Sequence, residues 1–370
     1  MVRIQLVMVT RVVLLVAILL PPAITAKAQY LSLNKSELQK LSTLINTDQN
    51  VKMAYHELEN LADATLKQHP DPVDTIISEG HLANDPKKLK TQKSLADLDK
   101  IYALAYTYSI SNKPVYLKKC IEYILAWAKI NHGAGNPIND TKLDPLFDAY
   151  DLIKDEMTVS ERNTVDKWLV EIADAEMASP RFKSGKKSVY NNWNSHRIKV
   201  VGNIAYLLRN KNYELFADTA IKTQILKNLY ADGSGMDFEE RDALHYHIYT
   251  LEPLLKIATV IKRATGINYF NYVSPSGSSI QKSVEFLAPF VTGRQIHHEF
   301  VNSKVPFDKK RADNKEPGYI IGANFKPKTA IEVLSYAAYF EPAYNVMLKK
   351  LLGSADIYSD WQSVLNVVKD

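Results

Sequence analysis

The chain has 370 residues, with 46 lysines and arginines against 41 aspartates and glutamates, and a formal net charge of +5. This near balance does not indicate a nucleic-acid or membrane-surface partner, since those partners select a strong excess of positive charge. Cys120 is the single cysteine, which excludes a disulfide within the chain. Only 13 glycines interrupt long periodic segments, so we predict an all-α fold.

The first 28 residues predict a secretory signal peptide. A basic start precedes an apolar stretch that includes residues 12–20, and a run of small residues ends in a cleavage site at Ala28. The stretch is shorter than the roughly 20 apolar residues of a membrane span, and two prolines follow it. We therefore expect a periplasmic or secreted protein without a membrane partner after cleavage. The mature chain, residues 29–370, is expected to form one domain with 43 basic and 41 acidic residues.

Apolar residues recur at helical spacing in successive segments of the chain. A capping box of Thr158 and Glu161 precedes one of these segments. The stripes contain Leu95, Leu98, Tyr102 and Ala105; Leu117, Ile121, Ile124, Leu125 and Ala128; Val165, Trp168, Leu169 and Ile172; Val201, Ile204, Ala205 and Leu208; and Ile280, Val284, Leu287 and Val291. Consecutive antiparallel helices of this kind are typical of a helical bundle or an α/α toroid.

Four longer stretches without such periodicity are expected to be loops, and loops on a rigid scaffold are where binding and catalytic residues concentrate. They cover residues 69–91, 179–192, 230–241 and 293–327.

The first cluster of chemically capable residues is the run from 190 to 197, which reads Tyr-Asn-Asn-Trp-Asn-Ser-His-Arg. Asparagine and serine are ordinary helix caps, so a capped helix start with a buried tryptophan would explain part of it. Three asparagines, a histidine and an arginine exceed what capping requires. We therefore predict a binding or catalytic role for this run.

The second cluster lies at residues 240–249. If the helix includes residues 243–255, His245 and Tyr249 are four residues apart and project from the same face. His247 is two residues from His245 and points elsewhere, so these histidines do not favour a metal site. We expect neither a metal nor another cofactor.

These residue types suit elimination on a uronate polymer. A base removes the C5 proton, an acid protonates the departing O4, and donors neutralise the C6 carboxylate so that the enolate-like intermediate is stabilised. Amide, imidazole and guanidinium groups serve as neutralisers, while a tyrosine acts as acid or base when a nearby cation lowers its pKa. The sequence supplies all of these groups in its two clusters.

Several segments together resemble the alginate lyase superfamily of α/α toroid enzymes, which is related to polysaccharide lyase family five. The resemblance covers roughly residues 78–260. It implies an (α/α) toroid, which is an incomplete barrel of antiparallel helical hairpins. It also implies an enzyme that acts on an anionic polysaccharide. The segments that carry it are Ser94-Leu95-Ala96-Asp97, Ala103-Leu104-Ala105-Tyr106, Tyr123-Ile124-Leu125-Ala126-Trp127-Ala128, Asn191-Asn192-Trp193, Leu207-Leu208-Arg209-Asn210, Asp232-Gly233-Ser234 and residues 241–249.

In family five, an Asn-Asn-His run supplies the neutralising asparagine and a histidine. The resemblance implies that Asn192 is the neutraliser here, but Trp193 stands where the family has its histidine. His196 or His245 is then expected to take over the role of that histidine.

A second family run, Arg-Ala-Leu-x-Tyr-His-Asn-Tyr, supplies an arginine and the catalytic tyrosine. It implies that Tyr249 is the proton donor, and it leaves open whether Tyr249 is also the base. Asp242 occupies the position of the family arginine, and Arg241 stands one residue earlier. We expect Arg241 to reach the site from the preceding turn.

Around this catalytic set, further residues are expected to bind the substrate. They are Asn191, Trp193, Arg197, Tyr246 and His81.

Two alternatives remain open at the level of sequence. A non-catalytic protein that binds uronate oligosaccharides would need arginines and aromatic residues, but no tyrosine and histidine on one helical face. A helical-toroid glycoside hydrolase would need a pair of carboxylates in the cleft. Glu240 and Asp242 are the residues that discriminate, because their placement decides between hydrolysis and elimination.

Overall fold

The computed structural model describes residues 29–353, 358 and 360–369. The predicted signal peptide, residues 1–28, lies outside the described residues. The first helices of the described chain are α1 (Lys35–Thr47), α2 (Gln49–Thr65), α3 (Pro86–Ser111), α4 (Pro114–Ile130), α5 (Pro137–Asp140), α6 (Asp144–Ile153), α7 (Val159–Ala178) and α8 (Asn192–Leu208). The following ones are α9 (Lys211–Asn228), α10 (Met236–Arg241), α11 (Leu244–Thr265), α12 (Ile280–Val291), α13 (Pro306–Asp313), α14 (Ile331–Ala338), α15 (Asn345–Leu352) and α16 (Trp361–Val368).

Short 3₁₀ turns connect some of these helices. They are Thr141–Leu143, Lys154–Glu156, Pro180–Phe182, Lys187–Val189, Pro327–Ala330 and Pro342–Tyr344.

Side-chain caps fix where the helices begin. The predicted capping box is confirmed, because Thr158 accepts from the backbone N–H of Glu161 and the Glu161 carboxylate accepts from that of Thr158. α1 starts with a similar box of Asn34 and Glu37. The Glu37 carboxylate also receives Arg263 Nη2, at 2.7 and 2.6 Å, so the cap ties α1 to the end of α11.

Consecutive contacts between α3, α6, α8, α11 and α14 form the inner ring of an α/α toroid. α2, α4, α7, α9 and α12 pack outside this ring, while α16 contacts α1, α2 and α14 and brings the two ends of the described chain together. α8 is buried on nearly all sides. At Gly202 a Cβ would overlap the Ile257 side chain, so glycine permits the close packing of α8 against α11.

The all-α prediction and the toroid are confirmed. The predicted loop boundaries differ in places, because helix caps lie inside the stretches that lack periodicity. α3 already begins at Pro86, with Asp85 as its cap. α10 and α13 are short helices inside the predicted loops 230–241 and 293–327.

Among the helices of the described residues, none combines the length and the apolar character required to cross a membrane.

Candidate active site

A cleft of about 380 Å³ opens at one end of the inner ring. The N-terminal parts of α3, α8 and α11 all reach this cleft, which brings the positive ends of three helix dipoles to one place. The cleft is lined by Ser78, Glu79, Lys88, Gln92, Leu95, Ile138, Lys142, Asn192, Trp193, Arg241, His245, Tyr246, Tyr249, Arg311 and Tyr319.

His245 and Tyr249 project together into the cleft from the first turns of α11, as their spacing predicts. Their rings are nearly parallel, with an interplanar angle of 7° and centroids 6.4 Å apart. Burial, reinforced by the guanidinium groups of Arg241 and Arg311, lowers the pKa of His245 to about 4. The imidazole is therefore neutral at neutral pH and has a nitrogen free to accept a proton.

The Tyr249 hydroxyl is protonated in the resting site. Burial, with smaller contributions from the carboxylates of Glu252 and Glu79, raises the pKa of Tyr249 well above its ordinary value. The positive charge of Arg311 lowers the pKa of Tyr249, but by less than burial raises it. A phenol held in this form is able to donate a proton to a leaving oxygen.

His196 lies beneath Tyr249 and outside the lining of the cleft. The two ring centroids are 4.3 Å apart, and His196 is 1% exposed. Its Nδ1 shares a hydrogen bond of 2.9 Å with the hydroxyl of Thr141, while its Nε2 has no hydrogen-bond partner. Burial, followed by the charge of Lys199, lowers the pKa of His196 well below its ordinary value. His196 thus supports the tyrosine ring as a neutral side chain.

Asn192 opens α8, and a buried carboxylate fixes its orientation. Its Nδ2 donates to Asp237 Oδ1 at 2.5 Å, which leaves one further N–H of the amide available. Asp237 also accepts from Asn228 and Thr250, at 2.7 and 2.8 Å. Asn191 is the cap of α8, because its side chain accepts from the backbone N–H of Trp193.

Arg241 reaches the cleft from the end of α10, in agreement with the prediction. Asp242 adopts the left-handed conformation, with φ 47°, so α10 and α11 are separate helices rather than one continuous helix. The Arg241 guanidinium donates to Asp308 Oδ1 at 2.5 Å and lies 3.7 Å from the ring centroid of Tyr246. These contacts hold the cation at the edge of the cleft.

Two lining residues that the sequence analysis missed come from the segment between α12 and α14. Arg311 on α13 donates to the Tyr246 hydroxyl at 2.9 Å, and that hydroxyl lies 3.2 Å from the hydroxyl of Tyr319. Arg311 Nη2 also lies 3.5 Å from Glu79 Oε2, in the loop before α3. The segment offers no apolar periodicity, so nothing in the sequence singles out these two residues from their neighbours.

The charges in the cleft suit an anion. Lys88, Lys142, Arg241 and Arg311 line it, while Glu79 is the one carboxylate among the described lining residues. Because fixed charges in a cleft reinforce one another, this lining attracts a polyanion and places donors around a carboxylate.

Other predicted binding residues lie outside this lining. Arg197 donates from Nε to the Glu176 carbonyl at 3.0 Å, stacks on Phe182 and thereby caps α7. The His81 imidazole pairs with Asp85 at 2.7 Å, beside the loop that contributes Ser78 and Glu79 to the cleft. Asn191 serves α8 as its cap. Trp193 and Tyr246 do line the cleft.

The two carboxylates that a hydrolase would need face elsewhere. Glu240 Oε1 pairs with Lys187 at 2.6 Å. Asp242 Oδ2 accepts from the backbone and the side-chain amide of Asn302, at 2.8 and 3.0 Å. Neither residue lines the cleft, so this part of the chain presents no carboxylate pair to a glycosidic bond.

His247 points away from the cleft, as the two-residue spacing predicts, and its Nε2 lies 2.8 Å from the Ser283 carbonyl. Across the described residues, no cluster of three or more histidine, cysteine, aspartate and glutamate side chains is arranged to hold a metal ion.

An α/α toroid with a cation-lined cleft at one end of its inner ring is the architecture of a helical polysaccharide lyase. The sequence model of the family described as alginate lyase matches residues 38–297, which is most of the chain. The chain therefore belongs to the alginate lyase family and is a polysaccharide lyase. No curated protein sequence matches it significantly.

Solved structures share the fold. An alginate lyase from Bacteroides ovatus has a TM-score of 0.65 and 16% identity, over 89% of this chain and 97% of that one. Alginate lyase A1-III from Sphingomonas species A1 has a TM-score of 0.55 and 19% identity, over 86% and 90% of the two chains. A tyrosine-to-phenylalanine variant of A1-III complexed with a tetrasaccharide has a TM-score of 0.53 and 20% identity, over 73% and 80%.

Proposed function

We propose that this cleft cleaves a uronate polymer, such as alginate or glucuronan, by β-elimination, with Tyr249 as the proton donor. The observation that carries the proposal is the parallel pair of Tyr249 and a neutral His245 in a cleft whose described lining contains four cations and one carboxylate. The pair offers one group that gives a proton and one that accepts a proton, side by side.

The first requirement of the reaction is to neutralise the C6 carboxylate, because this makes the C5 proton removable. Arg241 and the free N–H of Asn192 supply fixed donors, while Lys142 and Arg311 add positive charge. Asp308 holds Arg241 and Asp237 holds Asn192, so little reorganisation is needed when negative charge develops on the substrate.

In the elimination step, His245 takes the C5 proton. The electron pair of the C5–H bond forms the C4–C5 double bond, the C4–O4 bond breaks, and O4 receives the Tyr249 proton. Both side chains project from one face of α11, which suits removal of the proton and the leaving group from the same side of the sugar ring. Mannuronate and glucuronate place H5 and O4 gauche to each other, whereas guluronate places them trans. We therefore infer a preference for the first two.

Secretion and domain organisation are part of the same proposal. We propose that residues 1–28 are removed at Ala28 and that residues 29–370 act as one domain in the periplasm or outside the cell. Contacts of α16 with α1 and α2 support a single domain, since they join the two ends of the described chain. The N-terminal sequence of the exported protein tests the cleavage site, and any start other than Gln29 contradicts it.

The test of function is the ultraviolet absorbance of an unsaturated uronate end. The purified mature protein is incubated with mannuronate-rich alginate, guluronate-rich alginate and glucuronan. We expect absorbance to rise on mannuronate-rich alginate or glucuronan, and Tyr249→Phe to reduce the rate about 10²- to 10⁴-fold. Tyr272→Phe, a partly buried tyrosine between α11 and α12, is the matched control and keeps the rate.

Two results would contradict the proposal. New reducing ends without absorbance would indicate hydrolysis. Binding of all three polymers without cleavage would indicate a carrier of uronate oligosaccharides.

A further inference from the structure

A second cavity, of about 310 Å³, lies toward the other end of the inner helices. α8 contributes Asn192 to the cleft and Asn203 to this cavity, and eleven residues of helix separate the two positions by about 16 Å. The volume is near the lower limit of small-molecule pockets, and it would hold one or two sugar rings. We name this space the distal pocket. It is lined by Leu31, Asp99, Tyr102, Asp144, Pro145, Asp148, Asn203, Lys256, Thr259, Val260, Tyr336, Trp361, Gln362, Leu365 and Lys369.

Three aromatic rings in the distal pocket are held in fixed orientations. The Trp361 indole N–H donates to the Tyr102 hydroxyl at 2.9 Å, and its ring packs edge-on against Tyr106 at 5.7 Å. Tyr102 in turn lies 4.5 Å from Tyr106. Tyr336 lies under the ammonium of Lys256, at 5.0 Å. Trp361, Tyr102 and Tyr336 each keep part of their surface exposed.

Both ammonium groups of the distal pocket have partners in the protein. Lys256 pairs with Glu252 at 2.9 Å and with Glu332 at 3.1 Å. Lys369 donates to the Leu31 carbonyl at 3.2 Å. These ammonium groups are therefore engaged by the protein itself.

One buried hydrogen-bond acceptor of the distal pocket, by contrast, has no partner. Asn203 is 5% exposed, and its Oδ1 has no hydrogen-bond partner. Asp99 and Asp148 add carboxylates, which only accept hydrogen bonds when ionised. Burial raises the pKa of Asp148 to about 7, so at neutral pH this carboxyl group is partly protonated and is able both to accept and to donate a hydrogen bond. A ligand that satisfies the buried Asn203 Oδ1 must therefore bring a hydrogen-bond donor.

The charges narrow the ligand class further. Asp144 pairs with Lys199 and lies 3.6 Å from Lys256, which also pairs with two glutamates, so these lining charges are compensated within the protein and offer no free counter-charge to a uronate or an amine. Hydroxyl groups satisfy acceptors without charge, and the apolar face of a pyranose packs on aromatic rings. We propose that the distal pocket binds a neutral sugar, separately from the uronate cleft.

The two partly exposed tryptophans allow a direct test, because Trp193 lines the cleft and Trp361 lines the distal pocket. The whole mature protein is titrated with cellobiose and methyl mannoside, and in parallel with glucosamine and glucuronate. Calorimetry gives the affinity, and tryptophan fluorescence gives the location. We expect saturable binding of a neutral sugar, with a dissociation constant on the order of 1 mM. The fluorescence change persists in Trp193→Phe and is lost in Trp361→Phe.

Asn203→Ala and the isosteric Asp148→Asn provide a second test of the distal pocket, which does not depend on the folding of the two tryptophan variants. Each removes an acceptor and should weaken the calorimetric affinity for the neutral sugar about five- to tenfold. The proposal is overturned if neither neutral sugar binds, if only glucosamine or glucuronate binds, or if folded Asn203→Ala and Asp148→Asn bind as tightly as the unchanged protein. The assay measures binding and not polymer cleavage, so its outcome is independent of the proposed lyase function.

Discussion

One wall of the cleft is formed by the first turns of α8 and α11, and a second wall by the segment between α12 and α14. The helical wall provides Asn192, His245 and Tyr249, whose relative positions are set by the helix repeat. The other wall provides Arg311 and Tyr319, which a chain of hydrogen bonds through Tyr246 connects to α11. Because the two walls carry different residue types, we infer different roles for them. The helices supply the reacting groups, and the irregular segment binds the anionic chain.

The largest effect should come from the helical wall. His245→Gln keeps a polar side chain but removes the proposed base, so kcat should fall about 10²- to 10⁴-fold with little change in KM. Steady-state kinetics on mannuronate-rich alginate measures both constants. His298→Gln, on an exposed histidine bonded to the Gly322 carbonyl, is the matched control. An unchanged kcat in His245→Gln would remove the proposed role of this residue.

The next prediction compares Arg241, at the end of α10 just before α11, with Arg311 in the segment between α12 and α14. Arg241→Gln removes a donor aimed at the developing enolate and should lower kcat about 10²-fold or more. Arg311→Gln removes a charge that holds the bound chain and should raise KM about tenfold, with a smaller change in kcat. Arg294→Gln, in the same irregular segment but outside the cleft lining, should change neither constant. Equal effects of Arg241→Gln and Arg311→Gln on kcat would contradict the division between the walls.

A pH profile tests how the walls are coupled. Burial first, then Arg241 and Arg311, lowers the pKa of His245 to about 4, so kcat/KM should fall only as the pH drops through that value. Arg311→Gln removes one positive charge that repels the protonated imidazole, so the pKa of His245 should rise. The midpoint of the acidic fall in kcat/KM should then move to higher pH by less than about one unit, because the burial remains. A limb that moves to lower pH would contradict the assignment of His245 as the base.

The smallest effect is expected at Glu79, which lies 3.5 Å from Arg311. Glu79→Gln removes a negative charge from the cleft and releases Arg311 for the substrate. Because this pair is partly exposed to solvent, KM should fall only about two- to fivefold. A rise in KM would show that Glu79 positions Arg311 rather than competing with the substrate for it.

The sequence predicts the helical wall well, for a physical reason. A helix has a fixed repeat, so residues four apart share a face, and the placement of His245 beside Tyr249 follows from spacing alone. The capping box at Thr158 is predictable on similar local grounds. The toroid needs more than local signals, because it depends on contacts between helices far apart in the chain.

The other wall could not be predicted in the same way. Arg311 lies on a short helix without an apolar stripe, so periodicity gives no direction for its side chain. Arg197 is the last residue of the polar run 190–197, but its guanidinium donates to the carbonyls at the end of α7 instead of reaching the cleft. Whether a cation serves the substrate or a helix end depends on tertiary neighbours, and single-residue patterns carry no information about those.

The most direct test of the central claim is the mass of the products. The mature protein is incubated with a mannuronate tetramer, and the fragments are weighed by mass spectrometry. Elimination predicts fragments whose masses add up to that of the tetramer, with the double bond at the new non-reducing end of the fragment that keeps the original reducing end. Tyr249→Phe should form these fragments about 10²- to 10⁴-fold more slowly. Fragments whose masses add up to the tetramer plus one water would contradict the claim, because water would then have cleaved the bond.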